Sequence, residues 1–258
     1  MSVPSFLTGK IIMKDYIEIQ DHYDRGEGMS TTTSRSIGFS GIMTRVYMWM
    51  TAALLLTAGT AFFTANSPAM LQLIYGNNAA IWILCIIELG LVMGVSWGIN
   101  RLSPAQATAL FLLYSVVNGL TLASIFFAYS IGTIYQAFAA SALTFGAMSI
   151  FGYTTKRDLS SLGGILLMAL IGLIVASLVN IFWANSTFDA IITYLGVFIF
   201  VGLTVYDTQR IKAMSEAAEV YGDAVAPRRV AILGALSLYL DFINLFLYIL
   251  RLFGRSRD

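Results

Sequence analysis

Three carboxylic acids, Glu88, Asp207 and Asp241, lie in or at the edge of long apolar runs. An ionisable group at the centre of a hydrocarbon layer costs roughly 3 kcal/mol, so each needs a proton, a partner or a cation. Asp241 lies midway along Ser237-Leu-Tyr-Leu-Asp-Phe-Ile-Asn-Leu-Phe-Leu-Tyr248. On a helix, Ser237, Asp241, Asn244 and Tyr248 fall at i, i+4, i+7 and i+11, one polar stripe on an apolar rod. Inside lipid such a stripe must face protein or a water-filled cavity. It is either a hydrogen-bonded packing face or the lining of a pathway. The titratable group favours the pathway. Asp207, in Gly202-Leu-Thr-Val-Tyr-Asp-Thr-Gln-Arg-Ile-Lys212, either pairs at the surface with Arg210 or Lys212 or turns inward. Glu88 has no charged neighbour to pair with and joins the candidate pathway.

Other chemistries fail on inventory. The single histidine, His22, precedes the apolar region, and Cys85 is the only cysteine. An intramembrane Ser–His protease, a zinc protease or a haem site therefore lacks its ligands or base. The last apolar segment has no lysine for a retinal Schiff base, and no Walker motif is present. Cys85 reads as a buried thiol. Tyr114, Asn118 and Thr121, and likewise Ser177 and Asn180, read as interhelical hydrogen-bonding groups. The sequence thus points away from an enzyme and requires no tightly bound cofactor.

The elements that must position the acids follow from composition. The chain has 258 residues, 58% hydrophobic and only 11% charged, against roughly 25% charged in a soluble domain. No charge occurs in 46–87, 102–155, 159–188 or 190–206. This is a polytopic membrane protein. With 15 basic and 14 acidic residues, it has no field to attract nucleic acid. Windows of about 20 residues predict spans near 43–64, 79–98, 106–128, 132–153, 163–184, 189–207 and 231–251. Turn chemistry separates them at Asn66-Ser67-Pro68, Gly76-Asn77-Asn78, Ser103-Pro104, Ser160-Ser161 and Asn185-Ser186. Gly90, Gly94 and Gly98 form a small-residue ridge on the second span, away from Glu88.

Lys10, Lys14, Arg25, Arg35 and Arg45, then Arg101, Lys156, Arg157, Arg210, Lys212, Arg228 and Arg229 fall in every other connection, and the connections between them carry no Lys or Arg, so all of these lie on one side. The positive-inside rule then puts the N-terminus in the cytoplasm. Arg251, Arg255 and Arg257 conflict with a seventh full crossing, leaving a re-entrant last segment as the alternative to the preferred crossing. Residues 1–37 read as a disordered cytoplasmic tail, 38–254 as the membrane domain and 255–258 as a short basic tail. No apolar stretch suited to a cleavable signal precedes residue 37, and residues 1–28 read as dispensable, with Met29 a candidate start.

Four ordered motifs carry a resemblance: Asn118-Gly-Leu-Thr-Leu-Ala-Ser124, Phe151-Gly-Tyr-Thr-Thr-Lys-Arg-Asp-Leu-Ser160, Tyr206-Asp-Thr-Gln-Arg-Ile-Lys212 and Leu240-Asp-Phe-Ile-Asn-Leu-Phe-Leu247. Over about 38–254 the chain resembles the Bax inhibitor (transmembrane Bax inhibitor motif) family, in its bacterial, YccA-like branch. That resemblance implies an all-α fold of seven helices, the last surrounded by the other six, in a bacterial inner (plasma) membrane. It also implies a pH-sensitive calcium leak through paired aspartates, here Asp207 and Asp241, latched by an arginine for which Arg101 is the candidate. Ser237, Asn244, Tyr248 and Glu88 would line the pathway. Two aspartates supply at most four of the six to eight oxygens that Ca²⁺ takes, which suits weak, transient binding. The competing implication is a non-conducting regulator of a membrane protease such as FtsH, or a stress-response modulator. The partners are lipid, protons and Ca²⁺, joined in the competing reading by that protease.

Overall fold

The computed structural model describes residues 32–99, 101–221 and 225–255. The chain divides into two units, Met1–Gly38 and Phe39–Asp258. The regular structure of the described residues is all helical: α1 Thr32–Ala65, α2 Pro68–Tyr75, α3 Asn78–Gly98, α4 Pro104–Leu122, α5 Ile125–Ala128, α6 Ile131–Thr154, α7 Ser160–Trp183, α8 Ser186–Tyr221 and α9 Ala226–Arg255. Among the described residues seven segments are long and apolar enough to cross a membrane: Gly41–Ala65, Ala79–Gly98, Pro104–Ala128, Ile131–Thr154, Ser160–Trp183, Ser186–Ala218 and Ala226–Gly254. Each contains or closely overlaps one of the seven sequence windows.

Several boundaries differ from the sequence reading, each for a local reason. Helix α1 runs from Thr32 to Ala65. The segment 1–28 and the candidate start at Met29 lie outside the described residues. Asn66-Ser67-Pro68 is a helix start as well as a turn: Ser67 caps α2 by accepting from Met70 N–H, and Pro68 occupies its first turn. Proline suits that position because its missing N–H would have no partner in the helix. The third span breaks at Ala123–Ser124 before resuming as α5. Tyr75 of α2 meets this joint, donating to Leu120 O at 2.7 Å and accepting from Ser124 N–H at 3.0 Å. Its hydroxyl satisfies backbone groups that a broken helix leaves open. Burial pushes the Tyr75 phenol above its usual pKa, keeping it a neutral donor.

Helix α9 is continuous over 30 residues, about 45 Å. That is enough to cross a core of roughly 30 Å, and an unbroken helix has no reversal with which to re-enter. Of the seventh span's apolar window 67% is buried, against 6% for the second and fifth spans. The seventh span is therefore the most buried of the seven, while the second and fifth present most of their surface outward. Helix α9 packs along α8, α6 and α4, and its Gly234 meets Val46 of α1. Encirclement by all six spans goes further than these contacts.

Apolar surface gives little drive for helices to associate in lipid, so close packing and hydrogen bonds must hold the bundle. Two glycines show where backbones meet. A Cβ at Gly119 would lie 2.7 Å from Thr57 O, and one at Gly152 would lie 2.5 Å from Val205 O. These positions join the third span to the first and the fourth to the sixth. The Gly90–Gly94–Gly98 ridge behaves differently. A Cβ on Gly90 or Gly94 meets nothing within 4 Å, and one on Gly98 meets only Leu102. The expected seam is not packed against another helix among the described residues.

Candidate functional site

Asp241 lies in the packed interior, 4% exposed. Its Oδ2 is buried without a hydrogen-bond partner among the described residues. Buried polar atoms are almost always satisfied, so an orphan carboxylate oxygen points to a proton or ion. Asp207 on α8 lies close enough to act electrostatically on Asp241. Ser237, one turn before Asp241, donates its hydroxyl hydrogen bond to Asp207, and Arg210 is the cation that acts on Asp207. The sixth and seventh spans thus bring together Asp207, Asp241 and Ser237, as the stripe and motif predict. Of the two surface partners considered for Asp207, Arg210 interacts with it. Lys212 turns instead to the fourth span, donating to Tyr153 O at 3.0 Å.

The local sequence explains why α8 holds this acid so firmly. Tyr206 packs over Gly163 of α7. Thr208 donates to its own helix at Thr204 O, 2.7 Å away, and meets Ser149 of α6 at 3.4 Å. Gln209 accepts from Leu159 N–H at 2.9 Å and donates to Arg157 O at 2.8 Å. Successive residues around Asp207 therefore bind the fifth span, the fourth span and the loop between them. The two motifs at 151–160 and 206–212 meet in space.

The C-terminal half of the stripe has a different setting. Asn244 and Tyr248 line a cavity of about 380 Å³ together with Ser177 and Asn180 of α7, Asp189 of α8 and Arg251 of α9. With 1.5 Å rise per residue, Asn244 sits about 4.5 Å along the axis from Asp241 and about 10 Å from Arg251. One helix face therefore carries the buried acid, then the cavity floor, then its mouth. Arg251 Nη1 lies 3.6 Å from Asp189 Oδ1 and its guanidinium stands over the Tyr248 ring at 5.7 Å. Ser177 and Asn180 differ from the expected interhelical pairing. Ser177 donates to Leu173 O of its own helix, and Asn180 accepts from Asn185 N–H just beyond that helix.

Glu88 belongs to a second cluster. It accepts from Thr121 Oγ1 at 2.7 Å and from the Asn118 side chain. Asn118 Oδ1 in turn accepts from Tyr239 OH at 3.1 Å, and that hydroxyl shares a 2.7 Å bond with Thr57 Oγ1. Tyr114 stacks edge-on to Tyr239, centroids 5.7 Å apart. The expected interhelical hydrogen bonding holds for Asn118 and Thr121, while Tyr114 contributes a ring contact, and the network ties the first, second, third and seventh spans. Tyr239 and Thr57 are the members that sequence reasoning did not single out. Tyr239 lies two residues before Asp241 and so projects from another face of α9. Arg101 is exposed in the turn after α3, and its peptide N–H donates to Gly98 O at 2.8 Å.

A family model described as an inhibitor of apoptosis-promoting Bax1 matches residues 40–258. An Escherichia coli (strain K12) protein named inner membrane protein YbhL is 50% identical over 220 residues, covering 85% of this chain and 94% of the relative. A Borreliella burgdorferi protein is 43% identical over 216 residues, 84% of this chain and 92% of its own. A Streptococcus pyogenes membrane protein is 48% identical over 172 residues, covering 66% and 72% respectively.

Proposed function

On the premise that the chain belongs to the Bax inhibitor family, we propose that it is a pH-sensitive calcium leak of the bacterial inner membrane, with Asp207 and Asp241 as sensor and ion site. The observation that carries this reading is the buried, unpartnered Asp241 oxygen beside Asp207, at the end of a stripe whose next residues line a cavity. Two carboxylates that interact take up and release protons as a unit. With a shared proton they bond to each other; with none, their paired charge calls for a cation. Ca²⁺ needs six to eight oxygens, so Asn244, Ser237 and water complete a shell that stays weak enough to release the ion. No covalent chemistry takes place and no cofactor is held.

Arg101 acts in this reading as the latch of the closed state. An even number of crossings separates it from the N-terminus, which puts it on the same membrane face as Arg210 and the Asp207 end of α8. A charge-assisted pair with the ionised dyad holds the pathway shut, and protonation releases it. Arg101→Ala then raises basal leak. Glu88 supplies a second polar lining on the second span. The relative from Escherichia coli, an inner membrane protein by name, supports the inner membrane, and the alternation of Lys and Arg supports a cytoplasmic N-terminus.

Calcium entry into proteoliposomes holding the purified chain, followed at a series of pH values, tests the proposal. It predicts a leak above that of protein-free vesicles that rises as the medium is acidified. No leak, or a leak indifferent to pH, overturns it and leaves the family's non-conducting role.

A further inference from the structure

Between the first and fourth spans runs a groove of about 580 Å³, a volume in the range of ligand pockets. Its rim is exposed, with Thr51 on α1 and Ala142 and Ile150 on α6. Its floor is buried: Met50, Phe145 and, on the seventh span, Phe242. Phe145 and Phe242 meet edge to face, centroids 5.5 Å apart. The α6 lining runs from Ala142 to Tyr153, about 16 Å along the axis. Half of a roughly 30 Å hydrocarbon core is about 15 Å, so the groove is as long as one leaflet is deep. Tyr47 and Tyr153 close it near the start of the first span and the end of the fourth, the level at which tyrosines anchor in a membrane. This end is the basic one. Arg45, Lys156, Arg157, Arg210 and Lys212 lie on the neighbouring chain, against Asp158, Asp207 and Glu216. Lys212 stands over the Tyr153 ring at 5.0 Å, and Glu216 acts electrostatically on the same tyrosine.

We propose that this groove is a site for one acyl chain of an anionic phospholipid, drawn from the leaflet on the basic side of the membrane. Left empty, the floor forfeits the dispersion contacts that packed atoms make. Water fares no better, because it needs several polar partners to stay in a cavity and the floor is Met50, Phe145 and Phe242. A hydrocarbon chain meets neither objection, and the bilayer supplies it at the open rim. The match in length seats its head group at the Tyr47–Tyr153 end, where the excess of Lys and Arg attracts negative charge. The seated chain lies against Phe242, next to Asp241, and against Ser149, which meets Thr208 beside Asp207. It therefore braces the wall behind both acids. That bracing matters to the leak reading; the lipid site stands without it.

The test places the full protein in proteoliposomes that contain phosphatidylglycerol with a diazirine partway along one acyl chain. Illumination cross-links the lipid, and mass spectrometry of peptides locates the label. The inference predicts label on Met50 and Phe145, which are buried in the groove, as well as on the exposed Phe182 that any bulk lipid reaches. Gly146→Leu fills the groove and removes the label from Met50 and Phe145. A Cβ at Gly146 meets nothing within 4 Å, so the protein accepts the larger side chain. Gly94→Leu, equally open but on the second span, keeps the groove label. Carrying the same diazirine chain on zwitterionic phosphatidylcholine lowers the groove label about fivefold, the factor that one basic residue near an anionic surface is worth. Phe182 is labelled alike by both lipids, and this comparison needs no variant. Groove label that is absent, that survives Gly146→Leu, or that is equal from the two head groups overturns the site. None of these readings involves calcium entry, so the lipid site and the leak stand or fall separately.

Discussion

Tyr239 and Asp241 stand two residues apart on α9, yet their side chains enter different clusters. Tyr239 bridges Thr57 and Asn118, while Asp241 lies within electrostatic reach of Asp207. Tyr239→Phe removes one hydroxyl from a buried network and costs about 1 kcal/mol. It does so without touching the dyad. A thermal melt should therefore show the loss, and the pH profile of calcium entry should keep its midpoint; a displaced midpoint would join the two clusters into one site. The two residues also differ in how readable they were. A charge in an apolar run is conspicuous because its cost in lipid demands an explanation, so Asp241 and its stripe were visible in the sequence. Tyrosine and threonine are ordinary in membrane helices, where their hydroxyls find a partner or serve as interfacial anchors. Which partner Tyr239 meets depends on the first and third spans lying beside it, and no local pattern states that.

At the level of elements, the spans were legible because length and hydropathy fix them, and turn residues mark their ends. The seams between them were not. Gly90, Gly94 and Gly98 have the spacing of a packing ridge, yet Gly152 and Gly119 make the close crossings, because a glycine matters only where a neighbouring backbone arrives. Gly152→Ala places its Cβ 2.5 Å from Val205 O and should destabilise by about 1–3 kcal/mol, the usual cost of overpacking. Gly94→Ala meets nothing within 4 Å and gains helix propensity of up to about 1 kcal/mol. Melting temperatures of the two variants should move in opposite directions; equal losses would mean the ridge is packed after all. The start of α7 gives an element-scale pH prediction. Ser160 donates to Asp158 through its hydroxyl and through its N–H, and these bonds hold the Asp158 carboxyl below the usual carboxylate range. A lowered folded pKa means the bonds stabilise the loop above the ordinary carboxylate pKa and are lost as pH falls through the lowered value. Hydrogen exchange at Ser160 N–H should accelerate on acidification below about pH 4, relative to exchange in the neighbouring turn of α7. An Asp158→Asn chain with the same acid response would refute the assignment.

For the whole molecule, seven crossings place the loop at Asn185 and the loop at Arg157 on opposite faces. In a Cys85→Ala background, Asn185→Cys should react with an impermeant thiol reagent from outside intact cells, and Arg157→Cys only after the membrane is opened. The reverse pattern would invert the protein and put the Asp189–Arg251 cavity on the cytoplasmic side. The sequence supplied the number of spans and, through the resemblance, the acids to compare. It could not supply the cavity, because Ser177, Asn180, Asp189 and Arg251 lie on three separate helices that only the folded chain brings to one place. The central claim is that the acid pair itself senses pH, and one substitution addresses it most directly: calcium entry into proteoliposomes through Asp241→Asn protein, measured beside the unaltered chain at a series of pH values. The account predicts that the variant's leak no longer follows pH. An Asp241→Asn chain that keeps the original pH profile would contradict it.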